Sequence, residues 1–138
     1  MTMLTRHAIR QVTFQTLFGL AVNPDAEVEP MIEQVLAGDP EVEREIEAPE
    51  EVIDLVRNVQ AYQDDADLQI SRYLVEGWTL ERLNLVDLEI MRIAIYEAQR
   101  GNTPAKVAVN EALNLASDFT DEASSKFING VLSKVLTF

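Results

Sequence analysis

The stretch from Thr103 to Leu136 constrains the fold of this chain more than any other. It opens Thr-Pro, with a hydroxyl suited to an N-cap and a ring suited to the first helical position. Ala105, Ala108, Val109, Ala112, Leu113, Leu115, Ala116 and Phe119 then recur at helical spacing and give a wide apolar arc. Asn110, Asn114 and Ser117 share a polar stripe on the other side. Thr120 is placed to cap a second helix, with Asp121 and Glu122 at the positive end of its dipole. Phe127, Ile128, Val131, Leu132, Val135 and Leu136 form its expected buried seam, while Lys126, Asn129, Ser133 and Lys134 face away. Gly130 interrupts that pattern at a cost of roughly 1 kcal/mol relative to alanine. A close helix approach, a bound partner or a tolerated packing glycine would each account for it.

The rest of the chain repeats the helical period. Thr5 caps an expected helix over residues 6–22, with Ile9, Val12, Leu17 and Leu20 on one face and Phe14 and Phe18 beside it. Asn23-Pro24 ends it, residues 28–36 form a short second helix, and Gly38-Asp-Pro40 breaks that one. Residues 41–47 alternate acids with Val42, Arg44 and Ile46, and like charge at that density predicts a solvated loop, with a charged docking surface as the alternative. Pro49 starts the next helix, with a kink or break at Asp64-Asp-Ala-Asp67 and a stop at Gly77. Trp78 reads as a packing anchor between two halves of the molecule rather than a base-stacking platform. Thr79 caps a short turn, and residues 85–99 form a helix with Leu88, Met91 and Ile95 inward, ended by Gly101. No strand is required, so the expected fold is all-α.

At 138 residues the chain fits one domain, or two small bundles sharing a core. No stretch approaches a membrane span, and the N-terminus lacks the apolar core of a signal peptide, so cytoplasmic is the default location. With no cysteine there is neither a disulfide framework nor a thiolate metal site. No metal-spaced His-Glu pair, phosphate-cradling glycine loop or Gly-x-Ser-x-Gly elbow is present. No metal, cofactor or catalysis is therefore expected, which leaves a binding protein.

Net charge is −13, which at first argues against nucleic acid. The distribution of that charge points the other way. Residues 1–24 carry Arg6 and Arg10 and no acid, and residues 25–51 carry eleven acids against Arg44. Residues 52–97 carry nine acids against four arginines, and residues 98–138 balance four against four. The acidity lies away from both ends, where an anion could still dock. Arg6, His7 and Arg10 crowd the first two turns of their helix, the end at which the macrodipole prefers acids. They are either ordinary surface bases or a site for an anion.

Three blocks carry a family resemblance: Arg92-Ile-Ala-Ile-Tyr-Glu97, Pro104-Ala-Lys-Val-Ala-Val-Asn-Glu-Ala112 and Lys126-Phe-Ile-Asn-Gly-Val-Leu132. In order and separation they resemble the signature blocks of the NusB family of bacterial transcription antitermination factors. Weaker similarity extends to residues 5–22 and to Trp78-Thr-Leu-Glu-Arg82, and only about residues 23–50 lack an obvious counterpart.

The resemblance implies about seven helices in two packed small bundles, an N-terminal one (1–77) and a C-terminal one (78–138), within a single NusB-like domain. It implies a partner, the small-subunit ribosomal protein NusE, and a boxA-type single-stranded RNA bound by the pair. NusA, NusG and RNA polymerase complete the implied complex, which suppresses premature termination in ribosomal RNA operons. Homodimerisation over the RNA site is a further property of some relatives. Carried over by position, Arg6, His7, Arg10, Phe18, Asp87, Phe119, Lys126 and Phe127 would meet RNA. Phe119, Ala123, Phe127 and Gly130 would meet the protein partner. Phe18 stands where many relatives have tyrosine, so it keeps a stacking face and loses a hydroxyl. Where relatives often show several consecutive bases, this chain has Arg6-His-Ala-Ile-Arg10, which implies fewer released counterions. Core burial is the alternative for Phe119 and Phe127, and helix capping for Asp87. Two other functions stay open: an acidic adaptor with little RNA contact of its own, and an accessory module for ribosomal RNA modification acting in trans.

Overall fold

The computed structural model describes residues 4–38 and 47–137. Among them are seven α-helices, one 3-10 turn and no strand, as the periodicity predicts. Contacts group the chain into two compact units, Met1–Gln60 and Ala61–Phe138.

In the first unit, α1 (Arg6–Val22) packs on α2 (Val28–Ala37). Thr5 caps α1 as expected, accepting from the Ala8 amide at 3.0 Å. Gly19 makes the α1–α2 approach close: a Cβ there would stand 2.7 Å from the Met31 sulfur. The third helix, α3 (Glu50–Ala61), buries Val52, Val56 and Val59 and sends Arg57 to Glu29 of α2 at 3.2 Å. Glu50 and Glu51 occupy its first turn, where the macrodipole favours them. The acidic run expected as a loop lies, apart from Glu47, outside the described residues.

The second unit is built around α5 (Leu85–Gln99), which contacts α4 (Gln63–Ser71), α6 (Ala105–Phe119) and α7 (Glu122–Val135). Every residue of α5 from Asp87 to Ile95 is buried, so this helix has no solvent face over that span. Sequence reading gave it a one-sided apolar face. The difference lies in Glu89 and Arg92, charged residues that are nevertheless inside. α6 and α7 pack on each other and on α5, and Ala108, Val109, Ala112, Leu115, Ala116, Ile128, Val131 and Leu132 form their shared seam.

Four local expectations shift. The break expected at 64–67 falls instead at Tyr62, which leaves Asp64 and Asp65 in the first turn of α4. The chain leaves α4 after Ser71, so Gly77, with φ +90°, shapes the following loop rather than a helix end. Pro104 takes the N-cap position of α6. Asp121 rather than Thr120 caps α7, its carboxylate accepting from the Ser124 amide at 2.9 Å.

Candidate functional site

The second unit contains a groove of about 530 Å³. One side comes from the loop after α4, with Tyr73, Leu74, Val75 and Trp78. The 3-10 turn (Leu80–Arg82) and the start of α5 add Arg82, Leu83, Asn84 and Asp87. The other side is α7, with Lys126, Phe127, Gly130, Val131 and Lys134.

The loop owes its course to two contacts. The Trp78 amide donates to the Val75 carbonyl at 3.0 Å, closing a turn through Gly77. The Arg82 guanidinium then donates to the Gly77 carbonyl at 2.8 Å. This turn brings apolar side chains into solvent: Val75 is 67% exposed, Trp78 52% and Tyr73 41%. Trp78 is therefore not the buried anchor expected from sequence. It is an exposed aromatic wall, the residue type most enriched where partners bind.

Asp87 gives the groove its polarity. It lies in the first turn of α5 and is 6% exposed, and its Oδ1 has no hydrogen-bond partner. Burial pushes its carboxyl above the ordinary range, and Asp121 adds to that, while a hydrogen bond with the Ser124 side chain opposes it. Helix capping does not explain this residue, since Asn84 caps α5 by accepting from the Val86 amide at 2.9 Å. A buried acceptor left open costs free energy until a donor reaches it. Its charged neighbours in the groove are Arg82, Lys126 and Lys134, a basic lining in a chain of net charge −13.

The structure thus gathers Asp87, Lys126, Phe127 and Gly130 in one place. Phe127, expected in the buried seam of α7, is half-buried and lines the groove. Around Gly130 a Cβ would meet nothing within 4 Å, so no helix approaches it closely and the close-approach explanation fails. Lys126 makes a 3.7 Å ion pair with Glu122 one turn earlier, both side chains being well exposed. Such a pair is worth little and leaves the ammonium accessible. Ala123 is exposed and Phe119 half-buried, and neither lines the groove.

The remaining candidates belong to α1 in the first unit. Arg6 is exposed and His7 half-buried, whereas Arg10, expected either as a surface base or in an RNA site, is only 9% exposed. The reason is register: Arg10, Thr13, Phe14 and Leu17 fall at i, i+3, i+4 and i+7, and all are buried. Phe18 is half-buried with its ring centroid 6.2 Å from that of Phe14. Among the described residues no helix is long and apolar enough to cross a membrane, and no three His, Cys, Asp or Glu side chains gather as metal ligands. Sequence reasoning did not single out Tyr73, Val75, Arg82 or Lys134 as groove residues. The available signal was Gly77, a turn glycine followed by Trp78 just before a short arginine-bearing turn.

Comparison with known proteins agrees with this architecture. The profile of the NusB family matches residues 7–137. The transcription antitermination protein NusB of Levilactobacillus brevis is 45% identical over 134 residues, covering 96% of this chain and 93% of the relative. The structure of T. maritima NusB superposes with a TM-score of 0.80 at 30% identity, over 98% of this chain and 92% of the other. A crystal structure of the antitermination factors NusB and NusE in complex with double-stranded RNA shares the fold, with TM-score 0.78 and 20% identity over 95% of each chain. The binding-protein reading, with no enzyme activity, accords with these relatives. This all-α chain belongs to the NusB family of transcription antitermination proteins.

Proposed function

We propose that this antitermination factor binds boxA-type RNA jointly with NusE and suppresses premature termination in ribosomal RNA operons. The observation that carries the reading is the groove, which places the exposed Trp78 and the half-buried Phe127 beside Arg82, Lys126 and Lys134, with the buried, unpartnered Oδ1 of Asp87 behind them. Its apolar lining suits a protein anchor, so the groove is assigned to NusE, with Phe127 and Gly130 in the contact and Phe119 and Ala123 flanking it. NusE is chosen as the occupant because a structural neighbour is a complex of NusB and NusE with double-stranded RNA. RNA contact is assigned to Arg6, His7 and Phe18 on α1 and to Lys126 on α7, cations and an aromatic face being how single strands are commonly held. Arg10 contributes mainly by fixing α1, because so little of it reaches solvent. NusA, NusG and RNA polymerase would join through the assembled pair.

The test is a titration with boxA-type single-stranded RNA against a scrambled control, with and without NusE, at two salt concentrations. Specific binding that strengthens with NusE is the expected result. Arg6→Ala should then lower the slope of log K on log salt by about 0.7, the loss of one single-strand phosphate contact. Tight NusE binding with no gain in RNA affinity or specificity would sink the RNA-reader and favour the acidic adaptor. The basis of that second reading is the chain's net charge of −13, which would steer a basic protein partner.

A further inference from the structure

The exposed wall of the groove, residues 73–78, follows directly on α4, a helix with little apolar hold. Only Ala66 and Ile70 of its nine residues are buried. Besides the paired amides of Gln69 and Gln99, its polar tie to α5 is ionic. Arg92 of α5 donates Nε to Asp67 Oδ1 and Nη2 to Asp67 Oδ2, both at 2.7 Å. Its Nη1 donates to Glu89 Oε1 at 2.6 Å. The guanidinium is planar and largely buried, so two parallel bonds fix both the distance and the angle of α4 against α5. Asp67 precedes the wall residue Tyr73 by under two helical turns, and Arg92 follows Asp87 on α5 by little more than one. The fork thus joins the element that carries the Trp78 wall to the element that carries the open carboxylate.

We propose that Arg92 and Asp67 are positioning residues for the groove. The fork sets where the Tyr73–Trp78 wall stands, and so sets partner affinity, without either residue touching the partner. This rests on reading the groove as the NusE surface. Arg82 completes the arrangement by holding the Gly77 carbonyl at the far end of the same loop.

The chain has one tryptophan, Trp78, so its emission reports the wall directly. Asp67→Asn breaks the charged fork. Asp65→Asn makes the same change in net charge at an exposed position of α4 and serves as control. Both variants are compared with the intact chain for helix content by circular dichroism, acrylamide quenching of Trp78 and NusE affinity. Asp67→Asn should keep its helix content, raise Trp78 quenching and weaken NusE binding roughly fivefold, in the range for residues that act on a site without contacting its ligand. Asp65→Asn should match the parent in both, and Asp67→Glu, which keeps the carboxylate, should recover part of the loss. Should Asp67→Asn fail to fold, Arg92→Lys tests the same point by keeping the charge and losing the fork. Equal quenching in Asp67→Asn and Asp65→Asn overturns the proposal, as does weakened binding shared by both. Failure of the groove reading looks different: Trp78→Ala leaves NusE binding intact, while the quenching comparison still decides whether the fork places the wall.

Discussion

Two sets of buried polar groups, one in each unit, are handled in opposite ways. In the first, Thr13 and Thr16 of α1 are fully buried, and neither hydroxyl has a hydrogen-bond partner. In the second, Arg92 is buried with each of its three nitrogens bonded to a carboxylate. A buried hydroxyl is a small, neutral liability beside a methyl group that packs well. A buried guanidinium is tolerated only with its partners in place, and it holds them in fixed geometry. The core around Thr13 and Thr16 is thus held by shape, whereas the core around Arg92 also depends on charge.

The sharpest test of that contrast is Arg92→Met. It strands Glu89, 2% exposed, without its cation and should destabilise the fold by about 3–5 kcal/mol in urea unfolding. Arg57→Ala removes an ion pair of the first unit whose side chains are more than half exposed, and it should cost at most about 1 kcal/mol. Comparable losses would erase the distinction between the buried fork and the exposed pair. Thr13→Val replaces an unsatisfied hydroxyl by a methyl of similar shape and should stabilise by about 1 kcal/mol. A loss of stability there would mean that the hydroxyl is satisfied in solution.

Gly130→Ala should also stabilise, by roughly 1 kcal/mol, because the new Cβ meets open space in a helix interior. NusE affinity measured on the same variant should fall if the groove needs that space. The smallest expected effect concerns pH. Folding raises the Asp87 pKa, so the folded state binds the proton more tightly than the unfolded state does. Below the ordinary value of 3.8 both states are protonated and no penalty exists. As pH rises through the raised folded value, ionising the buried carboxyl costs stability. Asp87→Asn should therefore be slightly more stable than the parent at pH 7, and the advantage should vanish in thermal melts at low pH. An advantage that grew on acidification would contradict the burial assigned to this group.

These contrasts also show what sequence could and could not reveal. The helices of 6–22 and 85–99 were legible to the residue, because capping residues and apolar period agreed. Where two cap signals competed, at Thr120 and Asp121, the carboxylate took the position nearer the α7 amides. Arg10 misled because a base in the first two turns reads as solvent-facing, and only register against Thr13 and Leu17 puts it inside. Trp78 misled for the converse reason: a large aromatic reads as core, and nothing in its own spacing shows that Gly77 turns it outward. The blocks at 92–97 and 126–132 carried the family, yet the Arg92 fork pairs residues 25 positions apart, beyond the reach of any local pattern.

The loop between α4 and the 3-10 turn has a consequence on the scale of local opening. α5 is buried without interruption from Asp87 to Ile95, so its amides should exchange with solvent only when the whole unit unfolds. Residues 73–79 lie outside any helix, and their side chains are mostly in water. Their amides should exchange orders of magnitude faster. One unit thus holds both the slowest and some of the fastest hydrogens of the molecule, within twenty residues of each other. The wall proposed to meet NusE can then open locally about the position that the Arg92–Asp67 fork sets, while α5 stays closed.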